Sequence, residues 1–509
     1  MTADGDSARG LSSSAAWNPL WSAHRMLHAL KPTLLRNTVH PAKITSTSWM
    51  DGLRGICAVI VVNFHFLFTF SPLPTLGYRT PTHLTASDHI AALPPFCLLW
   101  DGASCVNVFF AIAGYVCSFK ALQLMQSGTA CHASLLQSLS SSVFRRAFRL
   151  YLPTLAMTLI TALLAYMNGF TLTDIMFANR KTWFRGVSSE VNVPRHDTLW
   201  GQVSFWASEV WHLMNLWEFK PVYPVHDPHL WTIAYEYRMS LHLYMVLIAL
   251  ATCRPHVRMA LLCTLATIYP AWHRWEGMLF FAGAACAQWD VLRMSNSHGG
   301  HATAKQGVLE ELLPIKEGSL ALSPGAPQRS RLLQPPRMTR TSLHRTAAYI
   351  SAMYLMSYPV SEFKNPSPGY AWINTLIPSG YVHRENKFPK SIGVLILLYL
   401  LRDGAKGGKP GVWRSMLESD LALYLGRISF ALYLVHATIL HAIGYAIPHW
   451  VWSSIGGSEG MSRWMIGITV GWTASLVLCL YFADLFHREI ELRCVRCVKW
   501  LEDRCKATE

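Results

Sequence analysis

Between residues 48 and 70 an arginine and a histidine stand eleven positions apart, Arg54 and His65. On an α-helix eleven residues make three turns, so both side chains share one face, roughly 16 Å apart along the axis. A guanidinium at one end of such a face grips an anion, and an imidazole at the other moves protons near neutral pH. The stretch opens polar, with Asp51 in its first turn, then runs apolar to Phe70 with Asn63 and His65 embedded in it. At ~20 residues it is long enough to cross a bilayer. Charged and titratable groups are expensive in lipid, so these belong against a protein interior or a wet cavity. The plainer alternative is a polar packing face with a hydrogen-bonded histidine.

Three further groups fit the same chemistry. Leu230-Trp231-Thr232-Ile233-Ala234-Tyr235-Glu236 opens a second apolar run with a carboxylate inside it. Leu425-Gly426-Arg427-Ile428-Ser429-Phe430-Ala431-Leu432-Tyr433-Leu434-Val435-His436 buries a histidine in a third. A carboxylate beside an imidazole at low dielectric makes a general base. Glu236 could instead pair with Arg238 or another helix, and His436 could be a hydrogen-bonded packing residue. Arg145, Arg146 and Arg149 precede another apolar run and suit phosphates bound bidentately. Arginines at a cytoplasmic interface are also what topology and anionic lipid require. Cys494-x-x-Cys497 with Cys505 lacks a second pair, so it is read as palmitoylated or inert, and no metal site is expected.

The elements that must hold these groups are helical and membrane-spanning. Of 509 residues 51% are hydrophobic and only 14% charged. Together with repeated apolar runs, this excludes an ordinary soluble domain. The net charge of +15 lies beside those runs, so membrane topology explains it and nucleic acid is not expected as a partner. The twelve cysteines are scattered and form no disulfide framework. No secretory signal is visible and no N-x-Ser/Thr sequon occurs.

The fold expected is all-α: one bundle of about ten transmembrane helices with both termini cytoplasmic. The spans fall near 52–70, 104–122, 150–168, 229–251, 258–272, 275–291, 346–361, 389–403, 421–447 and 462–486. Residues 1–47 form an N-terminal extension, with a basic amphipathic helix near 21–40 on the membrane surface. Residues 169–228 are a polar, tryptophan-rich loop, 292–344 a flexible basic loop, and 488–509 a charged cytoplasmic tail. With a cytoplasmic N-terminus, the arginine clusters at 145–149, 254–258, 293–345, 402–414 and 488–506 all fall inside, as the positive-inside rule demands. That arrangement sets Arg54 and Asp51 at the cytoplasmic end of the first helix. His65, Glu236 and His436 then converge at similar depth.

Five segments in order resemble the acyltransferase 3 family of integral membrane O-acyltransferases, over about residues 50–490. They are Asp51-Gly52-Leu53-Arg54-Gly55 with its Arg-x10-His spacing to His65, and Gly102-Ala103-Ser104-Cys105-Val106-Asn107-Val108-Phe109-Phe110-Ala111-Ile112-Ala113-Gly114-Tyr115. Arg146-x-x-Arg149, Leu230-Trp231-Thr232 with Glu236, and the run 425–436 ending at His436 follow. Asn107 stands where the family usually has Asp, and Ala113 where it usually has Ser before Gly114.

The resemblance implies a cytoplasmic acyl-CoA, most often acetyl-CoA, as co-substrate, with no permanently bound cofactor. Arg54, Arg146 and Arg149 would bind its phosphates. His65 would deprotonate the acceptor hydroxyl or carry the acyl group, with Glu236 or Asp51 orienting it. His436 and Asn107 would support the site. The N-terminal extension and basic loop resemble the fungal branch. That implies a small lipophilic hydroxyl compound of secondary metabolism as acceptor, membrane lipid as surroundings, and an internal membrane such as the endoplasmic reticulum. A cell-wall or glycolipid sugar hydroxyl is the other acceptor class. Embedded His and Glu also suit a proton-coupled transporter, though no internal repeat of the kind common in transporters is seen. An inactive structural relative is a further rival, against which the retained Arg54, His65, Arg146, Arg149 and Glu236 argue.

Overall fold

The computed structural model describes residue 33 and residues 44–80, 88–128, 132–186, 190–218, 220–298, 340–360, 367–381, 385–402 and 411–506. The chain divides into two compact units, Met1–Pro41 and Ala42–Glu509. The amphipathic helix expected at 21–40 lies outside the described residues apart from Thr33, as does residues 299–339 of the basic loop.

The described part of the second unit is helical, with no strand among the described residues. Its helices are α1 (Ser48–Phe70), α2 (Gly102–Gln126), α3 (His132–Tyr166), α4 (Thr171–Ala178), α5 (Arg180–Trp183), α6 (Leu199–Met214), α7 (Trp231–Ala249), α8 (Pro255–Ala271) and α9 (Trp275–His298). After them come α10 (Arg340–Met356), α11 (Ala371–Asn374), α12 (Lys387–Arg402), α13 (Val412–Leu417), α14 (Asp420–Ile439), α15 (Ala446–Ser454), α16 (Met461–Phe486) and α17 (Leu492–Cys505).

Among the described residues, five helical stretches are long and apolar enough to cross a membrane: Ser48–Phe70, Gly102–Gln126, Ala133–Tyr166, Asp420–Ser454 and Met461–Cys505. The other five expected spans coincide with α7, α8, α9, α10 and α12, which do not meet that standard. The physical reasons are length and polarity. α12 has 16 residues, about 24 Å at 1.5 Å each, against a hydrocarbon core of about 30 Å. α7 carries Glu236, Arg238 and His242 within 19 residues.

Three boundaries also differ from expectation. α3 begins eighteen residues before the expected third span, so Arg145, Arg146 and Arg149 lie within a 35-residue helix that runs through Pro153. The expected ninth span is broken by a π-turn at Leu440–Gly444, a wider turn that re-aims the side chains it carries. The expected loop 169–228 contains α4, α5 and α6, and the expected tail contains α17.

Glycine decides how closely the central helices approach. A Cβ on Gly55 would overlap the Gly426 backbone, and one on Gly426 would overlap the carbonyl of Asp51. α1 and α14 therefore cross in backbone contact, the small-residue packing that apolar bundles use. This crossing brings the segments carrying His65 and His436 together. On α1, Asn63 donates to the Leu99 carbonyl at 3.1 Å and accepts from Trp472 Nε1 at 2.9 Å.

The largest apolar core lies among α1, α2, α7, α9 and α12. It encloses a polar knot. Lys390, 1% exposed, pairs with Asp101 and donates to the Met356 carbonyl at 2.8 Å, while Ser104 donates to Asp101 at 2.8 Å. Asp101 also caps α2 by accepting from the backbone of Ala103 and Ser104.

Candidate functional site

A cavity of about 250 Å³ opens among α1, α2, α3, α7 and α14, with the start of α17 also on its wall. Arg54, Arg146, Arg149 and Glu236 line it, as do the hydroxyl-bearing Thr232 and Tyr433. The three arginines come from two helices. Arg146 and Arg149 are one turn apart on α3, and Arg54 sits in the second turn of α1.

Arg146 is held firmly. Its Nη2 donates to Glu236 Oε1 at 2.6 Å and its Nε to Ser240 Oγ at 3.0 Å. Glu236 therefore pairs across helices with Arg146 and not with Arg238, which donates to the Glu218 carbonyl. Arg149 makes no hydrogen bond or ion pair among the described residues. Asp51 lies 3.6 Å from Arg54 and is more than half exposed, about four turns away from His65. Asn107 is fully buried and bonds Ser391 at 3.1 Å on the side of the lysine knot.

Deeper than Thr232 and Tyr433 lies a cluster of histidines. His65 on α1 and His436 on α14 have ring centroids 5.3 Å apart. His229, on the short turn Pro228–Leu230 before α7, has its ring centroid 3.6 Å from that of His65 and 4.9 Å from that of His436, tilted against both. The expected convergence of His65 with His436 is thus present, but Glu236 is not part of it. The carboxylate there is Glu190.

Glu190 Oε1 lies 3.1 Å from His229 Nε2 and 3.6 Å from His65 Nδ1, the latter too long for a hydrogen bond. Glu190 Oε2 lies 3.1 Å from Nε2 of His441, whose Nδ1 is 2.9 Å from Asn192 Oδ1. The π-turn is what carries His441 to this position. On the other side of His229, Asp227 Oδ1 bonds Nδ1 at 2.8 Å and accepts from the backbone N–H at 3.0 Å. Burial alone would push the Glu190 carboxyl up. The His229 imidazole, together with hydrogen bonds from His229 and His441, outweighs burial and holds it well below the ordinary carboxylate range.

Tyr433 joins cavity and cluster. Its hydroxyl is 2.5 Å from Thr232 Oγ1 and donates to the His229 carbonyl, while its own carbonyl is 2.7 Å from His436 Nδ1. The arginine-lined cavity and the imidazoles are therefore one residue apart, with Tyr433 as the partition. His65 faces His229, His436 and Glu190.

Sequence reasoning missed Glu190, Asp227, His229, His441 and Asn192. Asp227-Pro228-His229 stands directly before Leu230-Trp231-Thr232, and an Asp capping a proline turn was the signal to follow. Glu190 and Asn192 lie in irregular chain with no periodicity to mark them.

The chain is similar to known proteins over most of its length. The family model for an acyltransferase domain (Acyl_transf_3) matches residues 47–488. The O-acetyltransferase PaAT-1 of Phomopsis amygdali is 26% identical, over 95% of this chain and 90% of its own. Acyltransferase R4 of a Phoma species is 26% identical over 91% and 97%, and acyltransferase clz18 of Cochliobolus lunatus 26% over 89% and 95%. No solved structure matches the chain.

Proposed function

Since this chain belongs to the acyltransferase 3 family and is an acyltransferase, we propose that it moves an acyl group, most simply acetyl, from acyl-CoA to a hydroxyl of a small lipophilic acceptor. The observation that carries the reading is the single cavity where three arginines meet two hydroxyls, one residue from a histidine cluster. The arginines suit the phosphates of the donor. Thr232 donates to the Tyr433 hydroxyl, which itself donates to the His229 carbonyl, and turning the Thr232 proton to a thioester carbonyl would stabilise its oxygen as the acyl carbon is attacked.

In this mechanism the acceptor hydroxyl lies at His65. Its oxygen bonds to the acyl carbon as its proton passes to the imidazole, the carbon–sulfur bond breaks, and the thiolate leaves and takes the proton as free CoA. Glu190, 3.6 Å from Nδ1, supplies the negative charge beside the imidazolium, in the place that sequence assigned to Glu236 or Asp51, without a hydrogen bond to the ring. Glu236 fixes Arg146 instead.

The proposal keeps ten membrane crossings with both termini cytoplasmic, the shorter helices spanning as members of the bundle. The donor then enters from the arginine side and the acceptor from the other. The reading takes the acceptor from secondary metabolism and the site of action as an internal membrane such as the endoplasmic reticulum; transfer to oxygen is supported by the relative named an O-acetyltransferase. Metabolite profiling of a deletion strain tests this: a hydroxylated compound should replace its singly acylated form. An unchanged profile under conditions where the protein is made would refute the acceptor class.

A further inference from the structure

The histidine cluster contains two bare buried nitrogens, of which a single general base uses at most one. His65 Nδ1 and His436 Nε2 have no hydrogen-bond partner among the described residues. A buried polar atom left so is costly and uncommon. A proton shared by His229 Nε2 and Glu190 Oε1 explains their 3.1 Å contact but reaches neither of the others. One nitrogen from each of His65, His229 and His436 lies within 4.8 Å of the other two.

We propose that these three imidazoles form a binding site for one divalent transition-metal ion of the zinc class, with the carboxylate of Glu190 beside it. Each ring is presented by a different element: α1, the turn Pro228–Leu230 and α14. Two of the three are already fixed through their other nitrogen. His229 Nδ1 bonds Asp227 at 2.8 Å, and His436 Nδ1 bonds the Tyr433 carbonyl at 2.7 Å. A carboxylate or backbone carbonyl on the far nitrogen is how proteins orient metal-binding histidines; it leaves Nε2 of His436 bare for the ion, while Nε2 of His229 would exchange its contact with Glu190 for it.

Spacing and charge bear on the site. Two groups bound about 2.0–2.1 Å from a tetrahedral ion lie about 3.3 Å from each other. The three ring nitrogens lie within 4.8 Å of one another, so the rings must draw together to hold one ion. Glu190 and Asp227 supply two negative charges to balance a dication in a buried place. Imidazoles select zinc, copper, iron or nickel over the hard cations magnesium and calcium.

The inference deepens the acyl-transfer reading and rests on it for its purpose. The fourth position of the ion would take the oxygen of the acceptor hydroxyl and make its proton easier to lose. With the ion bound, His65 would serve as a ligand and Glu190, in place of His65, would take the hydroxyl proton, so the site revises the base assigned above. Loss of activity in His65→Ala is expected with or without the ion, so activity alone does not test the site.

The test is metal content. The full chain is purified in detergent by a non-metal affinity tag, without chelator, and measured by inductively coupled plasma mass spectrometry. About one zinc-class ion per chain is expected, falling at least tenfold in His436→Ala and His229→Ala. If those variants do not fold, the native chain is stripped with a chelator and titrated with Zn2+. A rise in melting temperature and reversal by chelator support the site. Native chain with less than a tenth of an equivalent of any transition metal, and no response to Zn2+, overturns it. Acyl transfer by metal-free protein would also overturn it while leaving the acyltransferase reading intact. Metal at full occupancy without acyl transfer would support the site and count against that reading alone.

Discussion

Arg149→Ala separates donor binding from folding. Arg146 on the same face is committed to Glu236 and Ser240, at 2.6 and 3.0 Å, so its loss disturbs the protein as well as the ligand. Arg149 lines the same cavity but has no hydrogen bond or ion pair among the described residues, so its donors are available to a phosphate. A hydrogen bond to a charged group contributes about 1.5–3 kcal/mol. Arg149 is exposed, which places its contribution at the lower end, about 1.5–2 kcal/mol, after screening. That corresponds to a roughly 10- to 30-fold weaker affinity for acyl-CoA, with thermal stability unchanged. The assay is calorimetric titration of detergent-purified protein with acetyl-CoA and with its 3′-dephospho form. If Arg149 reads a phosphate, one of two patterns follows. Either the variant and the truncated ligand lose affinity non-additively, because they remove the same contact, or they add, and another phosphate is the partner. Unchanged acetyl-CoA affinity in a folded Arg149→Ala protein, at low and at moderate salt, would refute the assignment.

Other consequences are local. Arg146→Ala should weaken acetyl-CoA binding and lower stability by about 1–3 kcal/mol, because Glu236 loses its partner; adding Glu236→Ala should recover part of the stability but not the binding, as followed by melting in detergent. Lys390→Met should cost about 3–5 kcal/mol by leaving Asp101 buried and unpaired, and Asp101→Asn in the same chain should restore much of it; equal melting of the single and double variants would rule out the ion pair as the cause. Tyr433→Phe removes the hydroxyl bonds to Thr232 and the His229 carbonyl. It should reduce kcat more than KM for acyl-CoA, at a stability cost of about 1–3 kcal/mol.

Helices are the part of this molecule that sequence shows well. The eleven-residue spacing of Arg54 and His65 and the apolar run around them specify α1 without tertiary information. The glycines of the same motifs have a plain packing reason, since Gly55 and Gly426 set the α1–α14 crossing. What does not show is whatever depends on side-chain partners from irregular chain. Glu236 has the right residue type and depth to orient a histidine, but Arg146 reaches it from α3. Glu190 has no pattern around it, and it is the acid at His65. Span boundaries were misplaced for a related reason. The arginines of α3 read as the end of a helix by hydropathy, whereas backbone hydrogen bonding continues through them and past Pro153. His441 reaches Glu190 only because the chain widens into a π-turn at Leu440–Gly444, and no pattern read here announces that turn.

The central claim is that a thioester from the arginine cavity meets a hydroxyl at the histidine cluster. The direct measurement incubates purified protein in detergent with acetyl-CoA labelled in the acetyl group and the hydroxylated metabolites of a deletion strain, then follows label into product. The intact chain should transfer label, and His65→Ala, shown to be folded and to bind acetyl-CoA normally, should lose at least a hundredfold in rate. Label moving at an undiminished rate in that variant, or none moving in the intact chain while acetyl-CoA is bound, would contradict the account.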